Sequence, residues 1–224
     1  MDIIDNALKK GQTALSEYES KQILASYGIP VTAEKLITNG DELREAAGKI
    51  GYPLVVKGCS ANMAHKTEKG LIRVDIRNET EALSAFDEIT EAMAGEDGAI
   101  LVQEMVRGSR ELVVGLTRDS QFGPCVMFGL GGIFTEVLKD TSFRVAPLGK
   151  RDAMEMMQEI RAHKILDPVR GMPAANKDML ADMLVTVGRI GLENEMIREI
   201  DINPVIISGA KPVAVDALVV LEKK

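Results

Sequence analysis

Strand-like and helix-like runs succeed one another along this chain without strict alternation. A doubly wound sheet alternates its strands and helices, so the order excludes a Rossmann architecture and reads as α+β with two lobes. Ser16 and Glu19 have capping-box spacing, and the helix they open runs to about Tyr27, stopped by Gly28 with Pro30 beyond. Val31–Thr38 reads as a strand. Asp41 is expected to cap a helix through Ile50 that Gly51 closes, and Pro53–Gly58 is a short apolar strand. Ser60–Gly70 has no periodicity and reads as a loop. Leu71–Arg77 alternates apolar with charged residues as a half-exposed strand does, and Glu79–Met93 places Ala82, Leu83, Phe86 and Ile89 on one helical face.

The turn at Gly95–Gly98 is the best internal boundary. It predicts lobes at 16–95 and 96–224, with residues 1–15 as an N-terminal extension. Beyond it lie strand-like runs at Ala99–Val106, Glu111–Thr117, Pro124–Phe128, Ile133–Leu138 and Ser142–Ala146. Two helices follow, near Arg151–Ala162 and Asn176–Ile190, and three strands close the chain at Ile197–Ile202, Val205–Ile207 and Val213–Val220.

Composition removes several functions. With 224 residues, 46% hydrophobic and 27% charged, the chain has the makings of a soluble globular protein. A net charge of −7 and 4% aromatics argue against a nucleic-acid binder. No apolar run is long enough to cross a bilayer, and Met1–Lys10 lacks the pattern of a signal peptide, so a cytoplasmic protein is expected. Cys59 and Cys125 form neither a metal-ligand spacing nor a disulfide framework.

Five constellations carry chemistry. Lys57 follows an apolar run and precedes Gly58; it is either an ammonium aimed at an anion from the sheet's edge or a snorkelling edge lysine. His65 lies in an irregular loop with Lys66 and Lys69. A neutral imidazole is a good nucleophile towards phosphorus, and cations nearby favour that form; a solvated loop histidine is the alternative. Glu104 and Glu111 flank a presumed strand–turn–strand. They would accept hydrogen bonds from adenine and ribose donors, or be exposed acids of a surface hairpin. Gly129-Leu130-Gly131-Gly132 joins two strands instead of opening a helix, so the dinucleotide fingerprint fails, leaving an anion-binding nest or a tight turn. Asp201 and Asn203 alternate on one side of a strand, and Asp216 sits in an apolar run; together they offer hard oxygen ligands for Mg²⁺, or cap a turn. The second histidine, His163, reads as an exposed helix-end residue.

The order of these features resembles one family. Ser16-Glu17-Tyr18-Glu19, Tyr27-Gly28-Ile29-Pro30-Val31, Lys57 and His65-Lys66-Thr67 are similar to the nucleotide-binding part of ADP-forming acetyl-CoA (acyl-CoA) synthetases. Val102-Gln103-Glu104-Met105, Arg110-Glu111-Leu112, Phe128-Gly129-Leu130-Gly131-Gly132-Ile133-Phe134, Phe143-Arg144-Val145-Ala146-Pro147-Leu148 and Asp201-Ile202-Asn203-Pro204 continue the match over nearly the whole chain. The resemblance implies an ATP-grasp fold whose two lobes clasp ATP or ADP with Mg²⁺. On that template Lys57 meets the phosphates, Glu104 the adenine and Glu111 the ribose. Gly129, Gly131 and Gly132 form the glycine segment of the nucleotide site, and Asn203 and Asp216 ligate Mg²⁺. His65 matches a loop histidine thought to carry phosphate as a second phosphohistidine. The resemblance also implies a CoA-binding alpha subunit with the first catalytic histidine, in an α2β2 assembly, and the reaction acyl-CoA + ADP + Pi = acid + CoA + ATP.

Two departures stand out. The family often reads Asp-Val-Gly-Gly after the His-Lys-Thr/Ser motif, whereas Glu68-Lys69-Gly70-Leu71 stands here, and the chain has no CoA-binding module. The alternatives are a succinyl- or malyl-CoA ligase beta-type subunit, whose separate chains are usually longer, and a non-catalytic regulatory ATP-grasp domain.

Overall fold

A computed structural model describes residues 2–61, 70–95, 98–132 and 140–222. These fall into two compact units: Met1–Leu15, Glu19–Val31 and Val106–Lys224 form the larger, and Ser16–Tyr18 with Thr32–Met105 the smaller.

The smaller unit is a four-stranded antiparallel sheet with two helices. Its strands are β1 (Glu34–Ile37), β2 (Leu54–Cys59), β3 (Ile72–Ile76) and β4 (Ala99–Glu104), in the order β1-β4-β2-β3. The helices are α3 (Gly40–Ile50) and α4 (Glu79–Ala92), which follow α1 (Asp2–Lys9) and α2 (Glu17–Ser26) in the chain. Ala82 and Ile89 of α4 are buried, and Leu83 and Phe86 pack on the same core, which includes Leu54, Val56 and Val102. The first turn of α3 is capped by Asn39, whose side chain accepts from the amides of Asp41 and Glu42. The cap is therefore Asn39, two residues before the expected Asp41, because Asn39 has the extended backbone a cap requires and Asp41 is already helical.

The larger unit is built on a six-stranded antiparallel sheet. Its strands are β5 (Glu111–Asp119), β6 (Gly123–Leu130), β7 (Thr141–Val145), β8 (Ile197–Ser208), β9 (Lys211–Ala214) and β10 (Ala217–Leu221). The order is β10-β8-β5-β6-β7, with β9 also paired to β8. Helices α5 (Lys150–Glu159) and α6 (Lys177–Glu193) bury Met156, Leu184 and Val187 with Val126 and Phe128 of β6. A 3-10 turn at His163–Leu166 follows α5.

The division differs from the expected one at both ends. β4 lies between β1 and β2, so the chain leaves the smaller sheet after Met105 and not at Gly95. Residues 1–15 are not an appendage, since Ile4, Ala7 and Leu15 are buried in the larger core. The strand expected at Ile133–Leu138 falls on 133–139, outside the described residues. Arg170-Gly171, given no role from sequence, forms a two-residue hairpin turn. Both residues have positive φ, 47° and 82°, and Val169 and Met172 exchange backbone hydrogen bonds across it. Among the described residues no helix is long and apolar enough to cross a membrane.

Candidate functional site

The strand β8 is the longest in the molecule's described part and organises the acidic corner. Two strands had been expected at 197–202 and 205–207; one strand of twelve residues runs through both. Its partner changes midway. β10 pairs with Ile197–Ile202, and β9 pairs with Val205–Ser208. The run expected as one strand at Val213–Val220 is correspondingly split, with Val215 and Asp216 as the link. That link is tied to β8 at the crossing point: the Asn203 amide donates to the Asp216 carbonyl (3.2 Å), and the Val215 amide donates to the Pro204 carbonyl (3.0 Å). Asn203 and Asp216, thirteen residues apart in sequence, thus stand side by side and half-buried.

Asp201 belongs to the same corner. Its carboxyl is pushed up to about 6, first by burial and then by the negative charges of Glu199 and Asp216. Oxygen donors gathered in a negative field suit a hard cation such as Mg²⁺. Among the described residues no group of three or more His, Cys, Asp or Glu side chains is placed to hold a metal alone. Mg²⁺ takes one or two protein ligands and leaves its other positions to water and phosphate.

In the smaller unit, Lys57 lies inside β2, a central strand, and not at the sheet's edge. It is 5% exposed, and its ammonium donates to the Glu17 carboxylate at 2.8 Å, with Glu17 2% exposed. The expected edge position and the snorkelling lysine are both corrected: the ammonium is buried in a central strand beside a buried counter-charge. Glu104 ends β4. Its Oε1 accepts from the Ala33 amide at 2.7 Å, while its own amide donates to the Ala33 carbonyl at 2.9 Å.

In the larger unit, Glu111 opens β5 with an exposed side chain, and its carbonyl accepts from the Gly131 amide at 2.8 Å. The glycines serve different ends. Gly129 is inside β6, not in a loop, and a Cβ there would meet the carbonyl oxygen of Asp140, just before the paired strand β7, at 2.7 Å. A Cβ on Gly131 would lie 2.7 Å from the Leu112 carbonyl oxygen. Gly132 has a φ of +63°, and a side chain there would run into the Glu111 carboxylate. Gly132 thus gives Glu111 its space.

His65 lies outside the described residues. His163 is half-buried at the start of the 3-10 turn, not at a helix end, and its ring N–H donates to the Ile160 carbonyl at 3.2 Å. Neither Cys59 nor Cys125 is joined in a disulfide.

Sequence reasoning passed over Glu17 and Lys21, both fully enclosed on α2. Their only sequence signal is that EYESKQILAS lacks the broad apolar stripe of an ordinary packed helix.

A family model described as the ATP-grasp domain matches residues 6–221. The beta subunit of the ADP-forming acetate–CoA ligase I of Pyrococcus furiosus is 44% identical over 225 residues, covering 98% of this chain and 97% of that protein. A solved structure of Ca. Korarchaeum cryptofilum acetyl-coenzyme A synthetase 1, in complex with coenzyme A, Ca-AMPCP and HgCl+, superposes with a TM-score of 0.94 at 42% identity, covering 99% of each chain. A second structure of that enzyme, with coenzyme A and Mg-AMPPCP, has its phosphohistidine segment pointing towards the nucleotide binding site; it gives a TM-score of 0.89 at 43% identity, again over 99% of each chain. The chain belongs to the ATP-grasp family, in the branch that contains the beta subunits of ADP-forming acetate–CoA ligases.

Proposed function

We propose that this chain is the nucleotide-binding subunit of an ADP-forming acyl-CoA synthetase, an acid–CoA ligase that passes phosphate between a CoA-binding partner subunit and ADP. The observation that supports this best is the meeting of Asn203 and Asp216 where β8 changes partner, at the two residues the resemblance selects for Mg²⁺. The similarity to acetate–CoA ligase beta subunits along almost the full length favours this over a succinyl- or malyl-CoA ligase.

The residue roles follow the chemistry of each position. Lys57 neutralises charge on the phosphates, held in place by Glu17. Glu104 receives the adenine and Glu111 the ribose hydroxyls. Gly132 keeps the Glu111 carboxylate accessible, and Gly129 and Gly131 allow the backbone of β6 to pass close to its neighbours. Asn203 and Asp216 hold Mg²⁺, and Asp201 adds to the negative field around it. When bound, Mg²⁺ would neutralise charge on the transferring phosphoryl group and fix its geometry.

His65 carries the phosphoryl group. One imidazole nitrogen attacks phosphorus on the partner's phosphohistidine, whose other ring nitrogen is protonated; the new P–N bond forms as the old one breaks, the partner's imidazole leaves neutral, and the His65 ring keeps the proton on its other nitrogen. An oxygen of the ADP β-phosphate then attacks the same phosphorus, the P–N bond to His65 breaks, and ATP is formed. The second step is positioning and charge neutralisation and needs no further base, since the attacking phosphate oxygen is already ionised. An α2β2 assembly in the cytoplasm belongs to the same proposal.

The test is His65→Ala in the complex reconstituted with its CoA-binding partner. CoA- and acyl-dependent interconversion of ATP and ADP is expected to fall to background, with ADP and Mg²⁺ binding unchanged. Turnover at the wild-type rate would sink the relay.

A further inference from the structure

The buried face of α2 is polar. Ser16 is 9% exposed, Glu17 2%, and Ser20 and Lys21 both 0%. Positions 17, 20, 21 and 24 share one face of a helix, and of these only Leu24 is apolar. A packed helix ordinarily buries an apolar stripe, and a lysine is almost never fully enclosed unless something holds its ammonium. Glu17, Ser20 and Lys21 each meet a particular partner. Glu17 accepts from the Lys57 ammonium at 2.8 Å within the smaller unit. Within the larger unit, the Ser20 hydroxyl accepts from the Val219 amide at 3.1 Å, and the Lys21 ammonium donates to the Val215 carbonyl at 3.1 Å.

These partners are not scattered. Lys57 is the phosphate-neutralising lysine of the proposed site. Val215 is the residue before Asp216, in the two-residue link clamped to Asn203 and Pro204. Ser20 holds the strand that leaves that link. We infer that Glu17 and Lys21 are positioning residues, each within its own unit: Glu17 aims the Lys57 ammonium, and Lys21 fixes the Val215–Asp216 link so that Asp216 stays beside Asn203. The inference rests on the site assignment made above for Lys57 and Asp216. Groups that orient a ligand from behind are worth about 10–100-fold in metal affinity when removed.

The two roles predict a crossed result. The full chain is titrated with Mn²⁺ at saturating ADP, followed by loss of the free-ion EPR signal; ADP binding in EDTA is followed by calorimetry. Lys21→Met is expected to weaken Mn²⁺ binding about tenfold with metal-free ADP binding unchanged. Glu17→Gln is expected to weaken metal-free ADP binding about tenfold, with Mn²⁺ affinity at saturating ADP unchanged. Lys21→Gln, with a shorter donor, is carried in parallel in case the methionine variant does not fold, and is expected to give the same loss of Mn²⁺ affinity.

A helix that merely supports the fold would move both affinities together with thermal stability, and that outcome overturns the inference. So does wild-type binding in the folded variants, or tighter ADP binding in Glu17→Gln, which would make Glu17 a competitor for the ammonium. Lys57→Met and Asp216→Asn run alongside. If these bind ADP and Mn²⁺ as wild type does, the site assignment itself falls; if they lose binding while the α2 variants do not, only the role of α2 falls.

Discussion

The smaller unit holds its buried charge already neutralised, whereas the larger unit holds its charge concentrated. Lys57 and Glu17 are both buried and lie 2.8 Å apart, a pair whose fields largely cancel. At the crossing of β8 with the 215–216 link, Glu199, Asp201 and Asp216 are like charges, and Asp201 is held near 6 by burial and by the other two. The first arrangement is complete within the polypeptide. The second becomes favourable when a cation enters. A lysine that must meet phosphates needs a fixed direction, which a buried counter-ion gives. A metal site needs a field that the polypeptide does not cancel.

The largest expected effect tests the first half of this contrast. Lys57→Met takes from the buried Glu17 carboxylate a counter-charge at 2.8 Å and should cost about 3–5 kcal/mol of stability by denaturant unfolding. The double variant Lys57→Met with Glu17→Leu removes both charges and should recover most of it. A loss in the single variant no larger than a surface substitution would show that the pair is not closed off from water.

Asp201→Asn tests the second half. Asp201 is raised from 3.8 to about 6 in the folded chain. Its contribution is fully present below its unfolded value and is lost as the pH rises through 6, since the ionised form is disfavoured by folding. The asparagine variant should therefore match wild type near pH 3 and exceed it above pH 7, by up to about 3 kcal/mol. Equal stability at all pH values would remove the repulsive field from the account. A smaller effect comes from Asp216→Asn, which takes away the lesser of the two neighbouring charges. It should lower the midpoint of the Asp201 carbon NMR titration in the metal-free chain without returning it to 3.8, because burial is the larger cause. An unmoved midpoint would separate the two carboxylates.

Much of the element pattern was legible because it is local. The apolar face of α4, the strand runs and the glycine stops at Gly28 and Gly51 are all set by residues within a turn or two of each other. The family was legible too, through the order of the motifs and the resemblance they carry. The counter-ion of Lys57 was not, because it lies 40 residues away, and the carbonyl held by Lys21 lies 194 residues away. No periodicity reports such contacts; in sequence, Glu17 and Lys21 look like solvated helix charges one turn apart. The junction in β8 was read as a gap between two strands, whereas the sheet bridges it by changing partner. Asn39 was passed over as a cap because Asp41 is equally suited chemically, and only the backbone decides between them.

The most direct measurement is phosphoryl labelling. The full chain, incubated with Mg²⁺ and ATP carrying ³²P at the γ position, should acquire an acid-labile, base-stable label that maps to His65. The label should be absent in His65→Ala and strongly reduced in Lys57→Met and Asp216→Asn. A label on His163, an acid-stable label, or equal labelling of His65→Ala would contradict the account.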